Sequence, residues 1–251
     1  MLKRELKIFF TSLMFFTRLP VWRLSEFTQD THNKASRYLP MVGWIVGGVA
    51  ALVFWLAAQV LPMNVAVLLS MASTILLTGA FHEDGFSDVC DGFGGGYTPE
   101  QMLTIMKDSR VGAYGVIGTF FILGLKWAAL VAIPVSLIPI ALVAGHSISR
   151  MFAMLVIATA DYVKENPGSK SKPLAHRLGA GELVFAIITG LLPLLLLPWL
   201  ISLSLVLVLL TFIGFRAYIL KKLNGYSGDC LGAMQQITEV VFYLGVIVLL
   251  R

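Results

Sequence analysis

The stretch LPMNVAVLLSMASTILLTGA, residues 61–80, contains no charged side chain. A helix rises about 1.5 Å per residue and a bilayer's hydrocarbon core is about 30 Å thick, so a run of this length can cross it. A second run, LLPLLLLPWLISLSLVLVLLTFI at 191–213, has the same character. The whole chain of 251 residues follows suit: 57% is hydrophobic and 13% charged, and the mean hydropathy is +0.83. Soluble domains carry about 25% charged residues, so the side chains needed to clothe a water-facing surface are missing. Disordered chains lack the Leu, Val, Ile and Phe that dominate here. Transmembrane β-barrels alternate over segments of about ten residues, and these runs do not alternate. The expected fold is all-α, a polytopic transmembrane helix bundle.

Seven spans are expected, at about 38–61, 64–82, 112–133, 135–160, 183–199, 201–220 and 232–250. The formal charge is +5, and its placement sets the orientation, because Lys and Arg collect on the cytoplasmic side. With the N-terminus inside and the C-terminus outside, the cytoplasmic segments hold the cations from Lys3 to Arg37, then Lys107 and Arg110. They also hold Lys164, Lys170, Lys172 and Arg177, and finally Arg216, Lys221 and Lys222. The outer connections near Pro62, Pro134 and Trp199 hold none. The lipid bilayer accounts for the basic character without nucleic acid. Residues 1–37 form an N-terminal segment on a single domain covering 1–251, with the bundle at 38–251. Ile8 to Phe16 is too short to cross; it is expected either to lie in the interface or to pack on the bundle's end. Lys7 and Arg18 interrupt it, so it is no cleavable signal. Cys90 and Cys230 are isolated and belong to no metal or redox pair.

The second cytoplasmic loop carries GAFHEDGFSDVCDGFGGG, residues 79–96. Asp84, Asp88 and Asp91 stand at i, i+4 and i+7, which places three carboxylates on one face of a helix. Like charges at that spacing repel, and a hard divalent cation such as Mg²⁺, which binds one or two carboxylates together with substrate phosphates, removes the conflict. Glu83 adjoins them. Gly92, Gly94, Gly95 and Gly96 are expected to end the helix and offer backbone amides to a phosphate. Lys107-Asp108-Ser109-Arg110 brings two cations, which clamp phosphate oxygens or form the ordinary basic collar of a membrane helix.

Near the C-terminus, LNGYSGDCLGAMQQITE at 223–239 surrounds Asp229 with glycines, and Gln236 and Glu239 continue a polar stripe into the last span. Arg150, one turn from His146, is an intramembrane cation that meets either a carboxylate or a substrate phosphate. Lys126 is expected to snorkel outward or to pair structurally. From the residues alone, the chain reads as a metal-dependent enzyme acting on a diphosphate at the cytoplasmic membrane surface.

Four motifs then make the pattern specific: TRLP at 17–20, GAFHEDGFSDVCDGFGGG at 79–96, IMKDSRVGAYG at 105–115 and GYSGDCLGA at 225–233. Together and in this order they closely resemble the cobalamin synthase family, the adenosylcobinamide-GDP ribazoletransferases. The resemblance implies an integral enzyme of the bacterial or archaeal cytoplasmic membrane that completes the nucleotide loop of coenzyme B12. Adenosylcobinamide-GDP and α-ribazole, or α-ribazole 5′-phosphate, are the implied substrates, GMP the leaving product and Mg²⁺ the cofactor. Carried onto this chain, it gives Glu83, Asp84, Asp88 and Asp91 the metal, and Lys107 and Arg110 the charge on GMP. Asp91 or Asp229 would handle the attacking hydroxyl. Gly94, Gly95, Asp108, Ser109, Arg150, Ser227 and Gln236 are the expected substrate contacts. The DGxxAR element of membrane CDP-alcohol phosphotransferases is not reproduced, so their residue roles do not transfer. The rival expectations are a Mg²⁺-dependent membrane prenyltransferase and a transporter.

Overall fold

Backbone polar groups inside a bilayer must be satisfied within the chain, so apolar runs of this length fold as helices. The computed structural model describes residues 2–26, 28–163 and 178–251. Among the described residues the chain is a helical bundle. Helix α1 (Leu2–Phe16) and the short α2 (Gln29–Ala35) precede α3 (Leu39–Ala57) and α4 (Met63–Thr78). Next come α5 (Phe81–Gly95), α6 (Pro99–Met106), α7 (Ala113–Ala132) and α8 (Ile138–Thr159). The chain ends with α9 (Ala180–Leu191), α10 (Ser204–Leu223) and α11 (Gly228–Leu249).

Among the described residues, five segments are long and apolar enough to span: Asn33–Ala57, Ala113–Ala132, Ile138–Thr159, Trp199–Leu223 and Gly228–Leu249. The expected fifth span is a shorter apolar helix, Ala180–Leu196, and the expected second span is bent. It stops at Thr78 because Gly79 (φ 70°) and Ala80 (φ 59°) turn left-handed, and α5 departs at 89° to α4. We read α5 as lying across the end of the bundle, outside the spans. Helix α1 packs on the bundle: Ile8, Leu13 and Phe16 are buried, the Arg18 amide donates to the Leu77 carbonyl at 2.7 Å, and Phe15 and Phe16 meet Phe81 edge-on. Lys164, Lys170, Lys172 and Arg177, expected on a cytoplasmic loop, lie outside the described residues.

Lipid offers no hydrophobic drive for helices to associate, so small residues that allow close backbone approach take over. A Cβ on Gly43 would run into the His146 carbonyl, and one on Gly47 would stand 2.6 Å from the Val143 Cα. Gly43 and Gly47 are four residues apart on α3, so they form one small-residue stripe against α8. The interior of the bundle also holds a polar network. Lys126 on α7 pairs with Glu239 on α11 at 3.3 Å and donates to Gln236 Oε1 at 2.8 Å. Glu239 further accepts from Gln235 at 2.6 Å and from the Tyr243 hydroxyl at 3.1 Å, with His146 Nδ1 3.4 Å away. Lys126 therefore pairs inside rather than snorkelling outward. The close packing of α3 on α8 predicts that Gly47→Leu lowers the thermal unfolding midpoint in detergent, since overpacking costs about 1–3 kcal/mol. Gly48→Leu should not, because a Cβ there meets nothing within 4 Å; equal effects of the two would contradict the packing.

Candidate functional site

Helix α5 is held to the bundle by two close crossings with α11. A Cβ on Gly85 would stand 3.0 Å from the Asp229 Cα, and one on Gly232 would stand 2.9 Å from the His82 carbonyl oxygen. The crossing brings Asp229 to the acidic face of α5. Asp88 feels the result: burial, then Asp229, Asp84 and Asp91 in turn, push its carboxyl up to about 7. Asp84 is exposed and Asp88 partly so. Two sequence segments more than a hundred residues apart thus supply one carboxylate cluster.

The fourth carboxylate is engaged differently. Asp91 is only 8% exposed, and it accepts from the Gly112 amide at 2.7 Å and the Gly115 amide at 2.8 Å. It thereby satisfies the unpaired amides at the start of α7, where a negative charge also meets the helix dipole favourably. Gly112 and Gly115 are glycines because a Cβ on either would collide with this carboxylate. Asp91 therefore acts as a helix cap in this structure, and the expectation that it binds metal or handles the hydroxyl has this competing use.

Glu83 is bound through one oxygen only, Oε1 accepting from Gln236 Nε2 at 2.9 Å. Gln236 is buried and reaches the site through Glu83 rather than opening onto it. Arg150, expected to contact substrate, is 1% exposed, with Nη1 donating to the His146 carbonyl at 3.0 Å; it belongs to the interior network. Ser227 is buried as the N-cap of α11, accepting from the Cys230 amide at 3.4 Å and donating to Asp229 Oδ2 at 3.4 Å.

The glycines end the helix as expected, with Gly96 as the C-cap of α5, but their amides have local partners. Helix α5 runs on through Gly95, and the Gly96 amide donates to the Gly92 carbonyl at 2.9 Å. Gly94 is small because Tyr114 packs on it, and Gly92 and Gly96 because Met102 and Met106 do. Their amides are held within the helix and its cap rather than offered to a ligand. Lys107, Asp108, Ser109 and Arg110 are exposed in the α6–α7 connection. Arg110 Nη2 meets Asp108 Oδ2 at 2.6 Å, and this pairing holds the Asp108 carboxyl down at about 2.

Two residues not expected at the site also shape it. The Arg18 guanidinium lies against Gly79 at the α4–α5 break, and Lys126 anchors Gln236. Both are long-range contacts; the TRLP motif was the only sequence signal for Arg18.

The donor set suits a hard divalent cation of an open kind. Among the described residues no three His, Cys, Asp or Glu side chains converge closely enough to cage an ion. Asp84, Asp88 and Asp229 offer only carboxylate oxygens, so water and phosphate would complete the shell, which is the habit of Mg²⁺. Such a cation would relieve the repulsion that raises Asp88.

Comparison with known proteins agrees with the motifs. The family model described as cobalamin-5-phosphate synthase matches residues 8–247. A protein of Shewanella oneidensis named adenosylcobinamide-GDP ribazoletransferase is 46% identical over 98% of this chain and 95% of its own length. A Shewanella frigidimarina protein of the same name is 45% identical over 96% of this chain and 94% of its own. No solved structure matches. With a match over almost its whole length, the chain belongs to the cobalamin-5-phosphate synthase family.

Proposed function

We propose that this chain is an adenosylcobinamide-GDP ribazoletransferase of the cytoplasmic membrane, working with Mg²⁺ at the α5–α11 crossing on the cytoplasmic face. The observation that carries the site is the close crossing that sets the Asp229 backbone against Gly85, near enough for the Asp229 charge to act on Asp88, in a chain of this family. The prenyltransferase and transporter expectations lose their ground with the family match.

In the reaction a ribose hydroxyl of α-ribazole attacks the phosphorus that stays on cobinamide. The bond from that phosphorus to the bridging oxygen breaks, GMP leaves with that oxygen, and the hydroxyl proton passes to a base. Phosphoryl transfer of this kind depends on alignment and charge neutralisation more than on covalent help. Asp84, Asp88 and Asp229 are the residues that would hold Mg²⁺, whose charge would offset that of the diphosphate oxygens. Asp91 or Asp229 would take the hydroxyl proton, and both Asp91 oxygens also accept amides at the start of α7. Lys107 and Arg110 are exposed next to the start of α7, where they can meet the charge on departing GMP; Arg110 would exchange Asp108 for phosphate. Ser109 lies between them on the same connection.

The test is GMP release from adenosylcobinamide-GDP and α-ribazole in purified, full-length protein with Mg²⁺. Asp88→Asn and Asp229→Asn should each cut release by at least about a hundredfold, a loss typical of removing one electrostatic contact at a transition state, while membrane insertion persists. Full activity in either variant would overturn the assignment. For the orientation, an alkaline phosphatase fused after Arg251 should be active, and one fused after Asn224 inactive; the reverse pattern would place the site on the other face.

A further inference from the structure

A cavity of about 700 Å³ opens between α4, α5 and α7. Two stripes wall it: Leu68, Met71 and Ile75 on α4, at i, i+3 and i+7, and Val116, Phe120 and Leu123 on α7, at i, i+4 and i+7. Residues at those spacings share one face of a helix, so the cavity runs along the spans as an apolar groove. On α7 it reaches from Gly115 to Trp127, and the Trp127 indole donates to the Asn64 carbonyl at 3.0 Å at the far end. These two residues stand twelve apart in the sequence, about 18 Å along a helix. One acyl chain has that reach, since two leaflets of such chains make a hydrocarbon core of about 30 Å.

The end beside α5 has a different character. Glu83 and Asp84 line it, and neither Lys nor Arg lines the cavity. Glu83 Oε2 and Thr119 Oγ1, both on the lining, are buried without a hydrogen-bond partner among the described residues. Glu83 is not free to swing away. Its Oε1 accepts from Gln236 Nε2 at 2.9 Å, and Gln236 Oε1 accepts from Lys126 Nζ at 2.8 Å. A buried carboxylate oxygen needs a donor, whereas a threonine hydroxyl can itself donate. Thr119 lies one turn along α7 from Gly115, toward Trp127. The cavity therefore asks for a cationic N–H donor at its mouth, an acceptor about one turn deeper and an alkyl chain beyond.

We propose that this cavity binds a phospholipid with a primary-ammonium headgroup, the ethanolamine class. The ammonium donates to Glu83 Oε2 and offsets the charge of Glu83 and Asp84. Thr119 donates to an ester carbonyl of the glycerol unit, and one acyl chain lies between the α4 and α7 stripes. The lipid phosphate falls at the start of α5, where Ala80 provides no side-chain cap and first-turn amides favour an anion. A choline headgroup has the same charge but no N–H to donate. A glycerol headgroup leaves the lipid with a net negative charge beside two carboxylates. The inference goes beyond the ribazoletransferase reading and does not depend on it.

The experiment is fluorescence quenching of the purified full-length protein, in uncharged detergent with Mg²⁺, by lipids with identical brominated acyl chains and ethanolamine, choline or glycerol headgroups. Wild type should be half-quenched by the ethanolamine lipid at a concentration at least about fivefold below either of the others, within the roughly tenfold that a charge-assisted hydrogen bond supplies. Trp127→Phe should remove the headgroup-dependent part of the signal. Glu83→Gln should lose most of the ethanolamine preference, and Thr119→Val should weaken all three lipids alike. Gly124 lines the cavity, and a Cβ there meets nothing within 4 Å. Gly124→Phe should therefore fill the groove and weaken all three lipids, which covers the case in which Glu83→Gln fails to insert. Equal quenching of wild type by ethanolamine and choline lipids would overturn the inference. An undiminished preference in Glu83→Gln would do the same. Release of the bound lipid by α-ribazole 5′-phosphate would give the cavity to a substrate and overturn it too.

Discussion

The crossing of α5 over the start of α11 is the constraint on which the site depends. Two glycines, Gly85 and Gly232, bring the backbones of α5 and α11 close enough that a Cβ on either would press on the opposite chain. Without this approach Asp229 would stand apart from Asp84 and Asp88, and α5 would display carboxylates without a partner segment. The left-handed pair Gly79 and Ala80 makes the crossing reachable, because it turns the chain 89° between α4 and α5. Aspartates that would repel one another on an isolated helix are held near Asp229, and the proposed cation would offset that charge.

The interior network gives the crossing a rigid support. Glu83 at the cavity is linked through Gln236 to Lys126, and Lys126 to Glu239. Charged groups buried in a membrane bundle are costly unless paired, and pairing here joins α5, α7 and α11 in one connected set. Burying Lys126 and Glu239 together also explains why removing either would be worse than never having had the pair, since the other would be left uncompensated.

Much of this was legible in the residues, and the parts that were not share a cause. Uninterrupted apolar runs and the one-sided distribution of Lys and Arg pointed to a helical membrane bundle, because the bilayer imposes a length and a charge asymmetry that appear directly along the chain. The spacing of Asp84, Asp88 and Asp91 placed them on one helical face, as α5 has it. What local spacing could not reveal was the long-range partner of each group. Asp91 was expected at the metal, and its oxygens also cap α7. Gly92, Gly94 and Gly96 looked like a phosphate loop, but they make room for Met102, Met106 and Tyr114. Arg150 looked available to a phosphate, but it is shut inside the bundle. In each case the residue type has two uses, and only the tertiary contact decides between them.

We propose that Asp88 and Asp229, from distant parts of the chain, hold one divalent cation together with the diphosphate. Electron paramagnetic resonance of Mn²⁺, standing in for Mg²⁺, tests it most directly when the full-length protein is titrated in the presence of adenosylcobinamide-GDP. Wild type should immobilise Mn²⁺ in stoichiometric amount, and Asp88→Asn and Asp229→Asn should each lose that binding. Undiminished binding in both variants would contradict the account.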